Sequence, residues 1–434
     1  MLPRARPARG GSHLAYKMIN RIKPKSEFSR SVLTLMAGTT IAQAIPVAIS
    51  PILTRIYSPQ DFGVFALYFA CVSVMGLIAT GRYEAAVMLP EDDQEAIHII
   101  ALAALLVSIT TIILIIVVFS FNKTIASLLN APAIAPWLYL VPASVCLSGL
   151  YQILIVWFNR RRKYKTLANN KMIQSSMNGG AQIVFGTTIG NHSGLIIGYF
   201  VAQVFSVLVF LRSCKGINVL PISKNNIRYV LQKYVSFPKY ELPTALLNTM
   251  SKQGLIVAIT NIFTTTIAGY YALVERVLGV SMGLIGSSVA QVFYQQFASC
   301  AANRTAAKRM LKKTWLSLFA IGIVPFSVLF IFGPAIFNLI FGPSWREAGL
   351  MASILAPLYL LTFISSPTST AFRVLGLLKY ALFFGLYVFL TRFLAVIIGY
   401  YFRSFYVGLY FLVGFEVFQL VGYNVLIWRE VCRK

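Results

Sequence analysis

The chain is predicted to be an all-α integral membrane protein of about twelve transmembrane helices, arranged as two pseudo-symmetric six-helix bundles with both termini in the cytoplasm. Three observations predict it. Apolar runs of roughly 20 residues, long enough to cross a bilayer core as helices, recur along the sequence. Positive charge collects in alternate gaps between them. A stretch of the second run is echoed in the eighth.

The runs fall at about 33–53, 62–81, 96–120, 134–158, 172–190, 193–211, 241–263, 267–296, 314–341, 348–371, 380–400 and 404–428. Of the 38 Lys and Arg residues, four (Arg55, Lys123, Arg346, Arg403) fall in outer gaps and three (Lys252, Arg276, Arg392) within runs; the other 31 lie on the opposite side. That asymmetry is the positive-inside rule, and it places the basic side in the cytoplasm. The acidic loop Glu91–Glu95 sits on the same side, which acidic residues permit because they contribute little to orientation.

A chain that is 58% hydrophobic yet carries a net charge of +26 could be read as a nucleic-acid binder. Divided among short loops beside apolar runs, the charge instead meets anionic lipid headgroups, so membrane lipids and not nucleic acid are the expected partners. The expected organisation is a basic cytoplasmic tail (1–30), a first six-helix half (31–212), a cytoplasmic linker (213–240) and a second half (241–434). The tail is read as uncleaved, because the first apolar run is span-length and no small-residue cleavage site follows it. Part of the tail is expected to come from an early start codon, with Met18 the more natural beginning.

The five cysteines and three histidines are scattered without ligand-like spacing, so no disulfide framework, metal or cofactor is expected. Gly-x-x-x-x-Gly-Lys-Ser/Thr, His-Glu-x-x-His and Gly-x-Ser-x-Gly are absent, which argues against a direct ATP-driven pump and against a hydrolase.

The echo pairs Gly63-Val64-Phe65-Ala66-Leu67 with Gly269-Tyr270-Tyr271-Ala272-Leu273, and Met75-Gly76-Leu77-Ile78 with Met282-Gly283-Leu284-Ile285. Both members belong to the second helix of a six-helix half. Six is even, so the halves insert in the same orientation, as parallel repeats with a substrate site between them. Gly279, Gly283 and Gly286 form a small-residue face, expected to serve close helix packing. Pro46 and Pro243 open equivalent helices and are candidate bending points.

Ionisable side chains at membrane depth are the residues that could carry chemistry, since each costs roughly 2.5–3.5 kcal/mol at a helix centre. They are Lys252, Glu275, Arg276, Arg392 and Glu416. At about 1.5 Å per residue, Lys252 and Glu275 come out at similar depths, as do Arg392 and Glu416. Two ion pairs are therefore expected, Lys252–Glu275 and Arg392–Glu416, with Glu275 or Glu416 the alternative as a coupling site. Arg276 is then left over and is the first candidate for an anionic substrate. Arg82 reads either as a snorkelling interface residue or as a cation at the inner mouth of a cavity, with Arg55 its counterpart at the outer end. The amides Gln43, Gln152, Gln182, Gln203, Asn248, Gln253, Gln291 and Gln295 bridge helices or suit a cavity that passes sugars, because each offers both donor and acceptor.

The run Pro51-Ile52-Leu53-Thr54-Arg55-Ile56-Tyr57-Ser58-Pro59-Gln60-Asp61-Phe62-Gly63 resembles the first outer loop of O-antigen-type oligosaccharide flippases, the polysaccharide-transport branch of the MOP superfamily. Gly81-Arg82-Tyr83-Glu84, Trp157-Phe158-Asn159-Arg160-Arg161, Phe237-Pro238-Lys239-Tyr240-Glu241-Leu242-Pro243 and the segment from Tyr270 to Gln295 are similar too, so the resemblance covers the chain from about Ser31 onward. It implies two bundles in a V, opening alternately to each face of the bacterial inner membrane. It implies a cargo of undecaprenyl-diphosphate-linked oligosaccharide, handed on to a polysaccharide polymerase. By analogy with lipid II flippases it implies that Arg82 and Arg276 face the lumen. A multidrug–cation exporter of the same superfamily would prefer a less basic interior. A membrane glycosyltransferase or polymerase would need catalytic carboxylates at a membrane face.

Overall fold

The computed structural model describes residues 27–214, 223–300 and 303–433. Most of the expected N-terminal tail, and 215–222 of the expected linker, lie outside the described residues. Those that are described form helices and turns with no strand among them. Twelve long helical runs follow one another: α1 (Glu27–Ile56), α2 (Pro59–Ala79), α3 (Asp93–Leu128), α4 (Val141–Arg160), α5 (Tyr164–Thr188), α6 (Asn191–Ser213), α7 (237–262), α8 (265–300), α9 (Arg304–Phe341), α10 (Arg346–Thr368), α11 (Leu378–Tyr401) and α12 (Phe405–Arg433). A short connector helix, Lys224–Lys233, precedes α7.

Among the described residues, nine of these helices are long and apolar enough to cross a membrane. The other three are α5, α7 and α8. α5 is rich in Asn, Gln and Ser, while α7 and α8 are interrupted by π-helical turns at 237–241, 250–254 and 275–279. These three helices also contribute polar side chains to the walls of the cavities described below. Large apolar side chains such as Ile112, Ile116, Phe119 and Leu339 point outward from the bundle, as a lipid-facing surface requires.

The packing repeats. α1 packs on α5, α5 on α6, α2 and α3 on α4, and α4 on α6; in the second half α7 packs on α11, α11 on α12, α8 and α9 on α10, and α10 on α12. The two sets meet along α2 and α8, which cross near the sparsely charged end of the bundle. The crossing explains the sequence echo. A Cβ on Gly63 would lie 1.8 Å from the Thr265 carbonyl oxygen, and one on Gly269 would lie 1.8 Å from the Pro59 carbonyl oxygen. Each glycine meets the residue four before the other, so the contact is reciprocal, backbone against backbone. Only glycine leaves room for this approach.

The same end is tied by further contacts between the halves. Trp345 is fully buried, donates its indole N–H to the Thr54 carbonyl at 3.0 Å and packs edge-on against Phe62. Asn130 donates to the Asn261 carbonyl at 3.1 Å. One apolar core runs through Leu53, Tyr57 and Phe62 into α7–α12. At the basic end, two small cores sit separately, around Phe158 and Phe210 in the first half and around Phe297 and Phe372 in the second.

Several of the motifs quoted above have local structural reasons. Ser58-Pro59-Gln60-Asp61 is a helix start. The Asp61 amide donates to Ser58 Oγ at 3.2 Å, the Ser58 amide donates back to the Asp61 carboxylate at 2.9 Å, and proline takes the first helical position. Gly81 and Arg82 both have positive φ (58° and 63°), ending α2 in a tight reversal. Arg160 braces that reversal, bonding Asp93 at 2.9 Å and the carbonyls of Val87 and Pro90 at 2.9 and 2.7 Å.

Candidate substrate cavity

A cavity of about 430 Å³ lies between the halves, walled by α1, α2, α5 and α6 on one side and by α7, α8 and α11 on the other. Lys252, Gln253, Glu275, Arg276 and Arg392 line it. A second cavity of about 450 Å³ continues inside the second half, where Lys252, Glu275, Arg392 and Glu416 are joined by Tyr359, Thr362 and Ser366. Because Lys252, Tyr271, Glu275 and Arg392 border both, the two hollows form one charged chamber.

Lys252 lies in the π turn 250–254 and Arg276 in the π turn 275–279. A π turn widens the helix and frees a carbonyl from the regular ladder. In α7 Arg392 takes up a carbonyl of this turn, donating from Nη1 to the Ser251 oxygen at 2.9 Å. Its Nε meets the Glu416 carboxylate at 2.6 Å, so the expected Arg392–Glu416 pair is present. Both side chains are nearly buried, at 16% and 11% exposure.

The expected Lys252–Glu275 pair is not formed. Glu275 accepts hydrogen bonds from the Tyr271 hydroxyl at 3.2 Å and from the Tyr359 hydroxyl. Tyr271 sits one turn earlier on α8, and Tyr359 arrives from α10. These neutral donors hold the carboxylate, and among the described residues Lys252 has no ion-pair partner. Lys252 is exposed to the chamber. Arg276 likewise has no carboxylate or hydrogen-bond partner among the described residues, and it faces the cavity between the halves. The glycine face of α8 also differs from expectation. Gly279 and Gly286 line the chamber, and an added Cβ would meet its nearest neighbour only at 3.7 and 3.6 Å, so here small residues leave space rather than seat a helix.

Arg82 is engaged, not free. It pairs with Glu84 at 3.1 Å and with Glu241 at the start of α7, so it bridges the halves at the basic end. Glu84 is buried beneath it, and that burial pushes its carboxyl above the usual range. Arg55 is exposed at the last turn of α1 and lines neither hollow. Tyr359 was not legible as a site residue, because one tyrosine among 22 carries no mark in sequence.

Arg392 and Glu416 allow a stability prediction. Removing one partner of a buried pair leaves an uncompensated charge and costs about 3–5 kcal/mol. Arg392→Ala should therefore lower the Tm in detergent clearly, whereas Arg392→Met combined with Glu416→Leu should recover most of the loss. A single variant as stable as wild type would show that the pair contributes nothing.

Residues 52–350 match the family model described as "Polysaccharide biosynthesis protein". The chain belongs to that family. The succinoglycan biosynthesis transport protein ExoT of Rhizobium meliloti (strain 1021) is 24% identical over 318 residues, covering 70% of this chain and 61% of that protein. The chain thus spans about three fifths of the relative's length. Among solved structures, the lipid II flippase MurJ in an inward closed conformation superposes with a TM-score of 0.73 at 13% identity, covering 91% of this chain and 87% of that one. An inward-facing MATE family multidrug resistance transporter of the MOP superfamily gives 0.63 at 14% identity, covering 91% and 95%. The fold is that of MOP superfamily transporters, and this family member is a multi-pass membrane protein.

Proposed function

We propose that the chain is a flippase that moves undecaprenyl-diphosphate-linked oligosaccharide repeat units from the cytoplasmic to the periplasmic leaflet of the bacterial inner membrane, for O-antigen or another surface polysaccharide. The observation that carries this reading is the chamber itself, where Arg276 and Lys252 face open space between the halves and, among the described residues, neither is ion-paired, the nearby Glu275 being held by two tyrosine hydroxyls. A diphosphate crossing hydrocarbon loses its hydration at great cost. Two cations outside any ion pair among the described residues replace that hydration, while the lipid tail stays in the bilayer. The chamber's cations (Lys252, Arg276, Arg392) outnumber its carboxylates (Glu275, Glu416), which disfavours a cationic drug there.

Residues 31–212 and 241–434 are the two moving units, joined by 213–240, with both termini cytoplasmic. The shared core at the sparsely charged end suits a hinge, and the separate cores at the basic end suit an opening toward the cytoplasm. The Arg82–Glu241 pair lies at that mouth, where arriving phosphate competes for the guanidinium; Arg55 stands near the exit. Glu275 or Glu416 would be the coupling site if an ion gradient drives the cycle. The polymerase that consumes the repeat unit is the expected partner at the periplasmic face.

Deleting the gene tests the reading. The expected result is loss of surface polysaccharide with lipid-linked repeat units held on the inner leaflet. Unchanged surface glycan, in a strain with no second transporter of this family, would overturn it. Sugar transfer by the purified protein would point instead to a glycosyltransferase.

A further inference from the structure

We propose that a neutral cavity in the first half is a glycan subsite, so that the lumen is divided, with sugars held on α2, α4, α5 and α6 and the diphosphate on the cations of α7 and α8. This rests on the flippase reading above. The cavity measures about 320 Å³, and among the described residues no Lys, Arg, Asp or Glu lines it. Its wall combines the amides of Gln174, Asn178 and Gln203 with the rings of Phe69, Tyr151 and Tyr199. It is continuous with the charged chamber, because Phe69, Asn178 and Tyr199 border both this cavity and the one between the halves.

The hydrogen bonding of the wall is incomplete in one direction. Gln203 donates its amide N–H to the Tyr199 hydroxyl at 2.8 Å, but its carbonyl oxygen is buried without a donor among the described residues. The Asn178 carbonyl oxygen is likewise buried without a donor among those residues. Gln253, on the facing wall of the adjoining cavity, repeats the pattern. Buried acceptors left unmatched are costly and uncommon. Three amides that carry such an oxygen border one continuous hollow, and a turn of each amide would present the oxygen to an occupant rich in donors and without charge. Sugar hydroxyls are such donors, and each can also accept from the free amide N–H. Pockets that orient a ligand commonly set a few placed polar groups among aromatic walls. Tyr199 is held rigidly for that purpose, with ring centroids 5.6 Å from Phe69 and 5.9 Å from Phe65. Among the described residues a cationic ligand would find no counter-ion here, and a bare phosphate would find no cation.

The division predicts separable effects. The protein is purified in nanodiscs and its binding measured to two probes, bare undecaprenyl diphosphate and the lipid-linked oligosaccharide extracted from the gene-deletion strain. Gln174→Ala with Gln203→Ala, two amides that line only the neutral cavity, should weaken binding of the glycolipid about tenfold and leave binding of bare undecaprenyl diphosphate unchanged. That unchanged arm also reports that the variant is folded. Arg276→Ala should weaken both probes. If the double variant binds the glycolipid as wild type does, the amides hold water only and the subsite is disproved. If it loses both probes equally, the lumen is not divided. If wild type binds neither probe, or the deletion strain accumulates no glycolipid, the flippase reading itself falls and the subsite falls with it.

Discussion

Gly63→Ala and Gly269→Ala are expected to impair the protein to the same degree, and their combination to cost less than the two losses added. Each new methyl group would lie 1.8 Å from a backbone carbonyl oxygen on the other helix, at Thr265 and Pro59 respectively. Neither oxygen can swing aside as a flexible side chain would, so α2 and α8 must separate. Overpacking costs roughly 1–3 kcal/mol in ordinary cores, and a backbone-to-backbone crossing belongs at the upper end. Once one methyl has parted the helices, the second enters space already opened, which makes the pair non-additive. The separation would also disturb Trp345, whose bond to Thr54 and edge contact with Phe62 lie beside the crossing. The measurement is the Tm of each variant in detergent together with glycolipid translocation in vesicles. Gly385→Ala on α11 is the control, since an added Cβ there meets nothing within 4 Å. Full additivity of the two losses, or wild-type behaviour of either single variant, would mean that the crossing is not the rigid point of the fold.

The crossing also shows what could and could not be read in advance. Repetition of a glycine and its neighbours in two helices is a pattern, so the echo of 63–67 in 269–273 was visible in the sequence. Its cause was not, because a close approach belongs to two helices at once. The spans were legible because bilayer thickness fixes their length and loop charge fixes their alternation. Hydropathy is weakest where chemistry is densest, and α5, α7 and α8 depart from the apolar norm because they face water-accessible space. Depth along adjacent helices was enough to pair Arg392 with Glu416. The same arithmetic misassigned Glu275, because Tyr359 comes from a helix that depth alone does not bring near. The π turns at 250–254 and 275–279 had no sequence signal at all. A π turn is an inserted residue accommodated by the surrounding bundle, and neither Met-Ser-Lys-Gln-Gly nor Glu-Arg-Val-Leu-Gly has a local preference for it.

Arg276→Ala should reduce glycolipid translocation by ten- to a hundredfold while leaving the Tm near that of wild type. The two halves of this prediction have different physical sources. A hydrogen bond to a charged group is worth about 1.5–3 kcal/mol, and about 1.4 kcal/mol corresponds to a factor of ten. Loss of the guanidinium's contact with a passing diphosphate therefore accounts for the rate. Stability is spared because, among the described residues, Arg276 neutralises no carboxylate, so its removal strands no buried charge. Arg392 is the opposite case, locked to Glu416 and to the Ser251 carbonyl, and its loss should appear first in the Tm. Arg276→Lys should retain part of the activity, since an ammonium preserves the charge but not the two-pronged geometry that suits phosphate oxygens. Lys252→Ala should fall less than Arg276→Ala for the same reason. The assay is a reconstituted vesicle in which glycolipid reaching the far leaflet becomes accessible to an added glycosidase. Wild-type translocation by Arg276→Ala, in a variant of unchanged Tm, would remove the anion-binding role on which the transport mechanism depends.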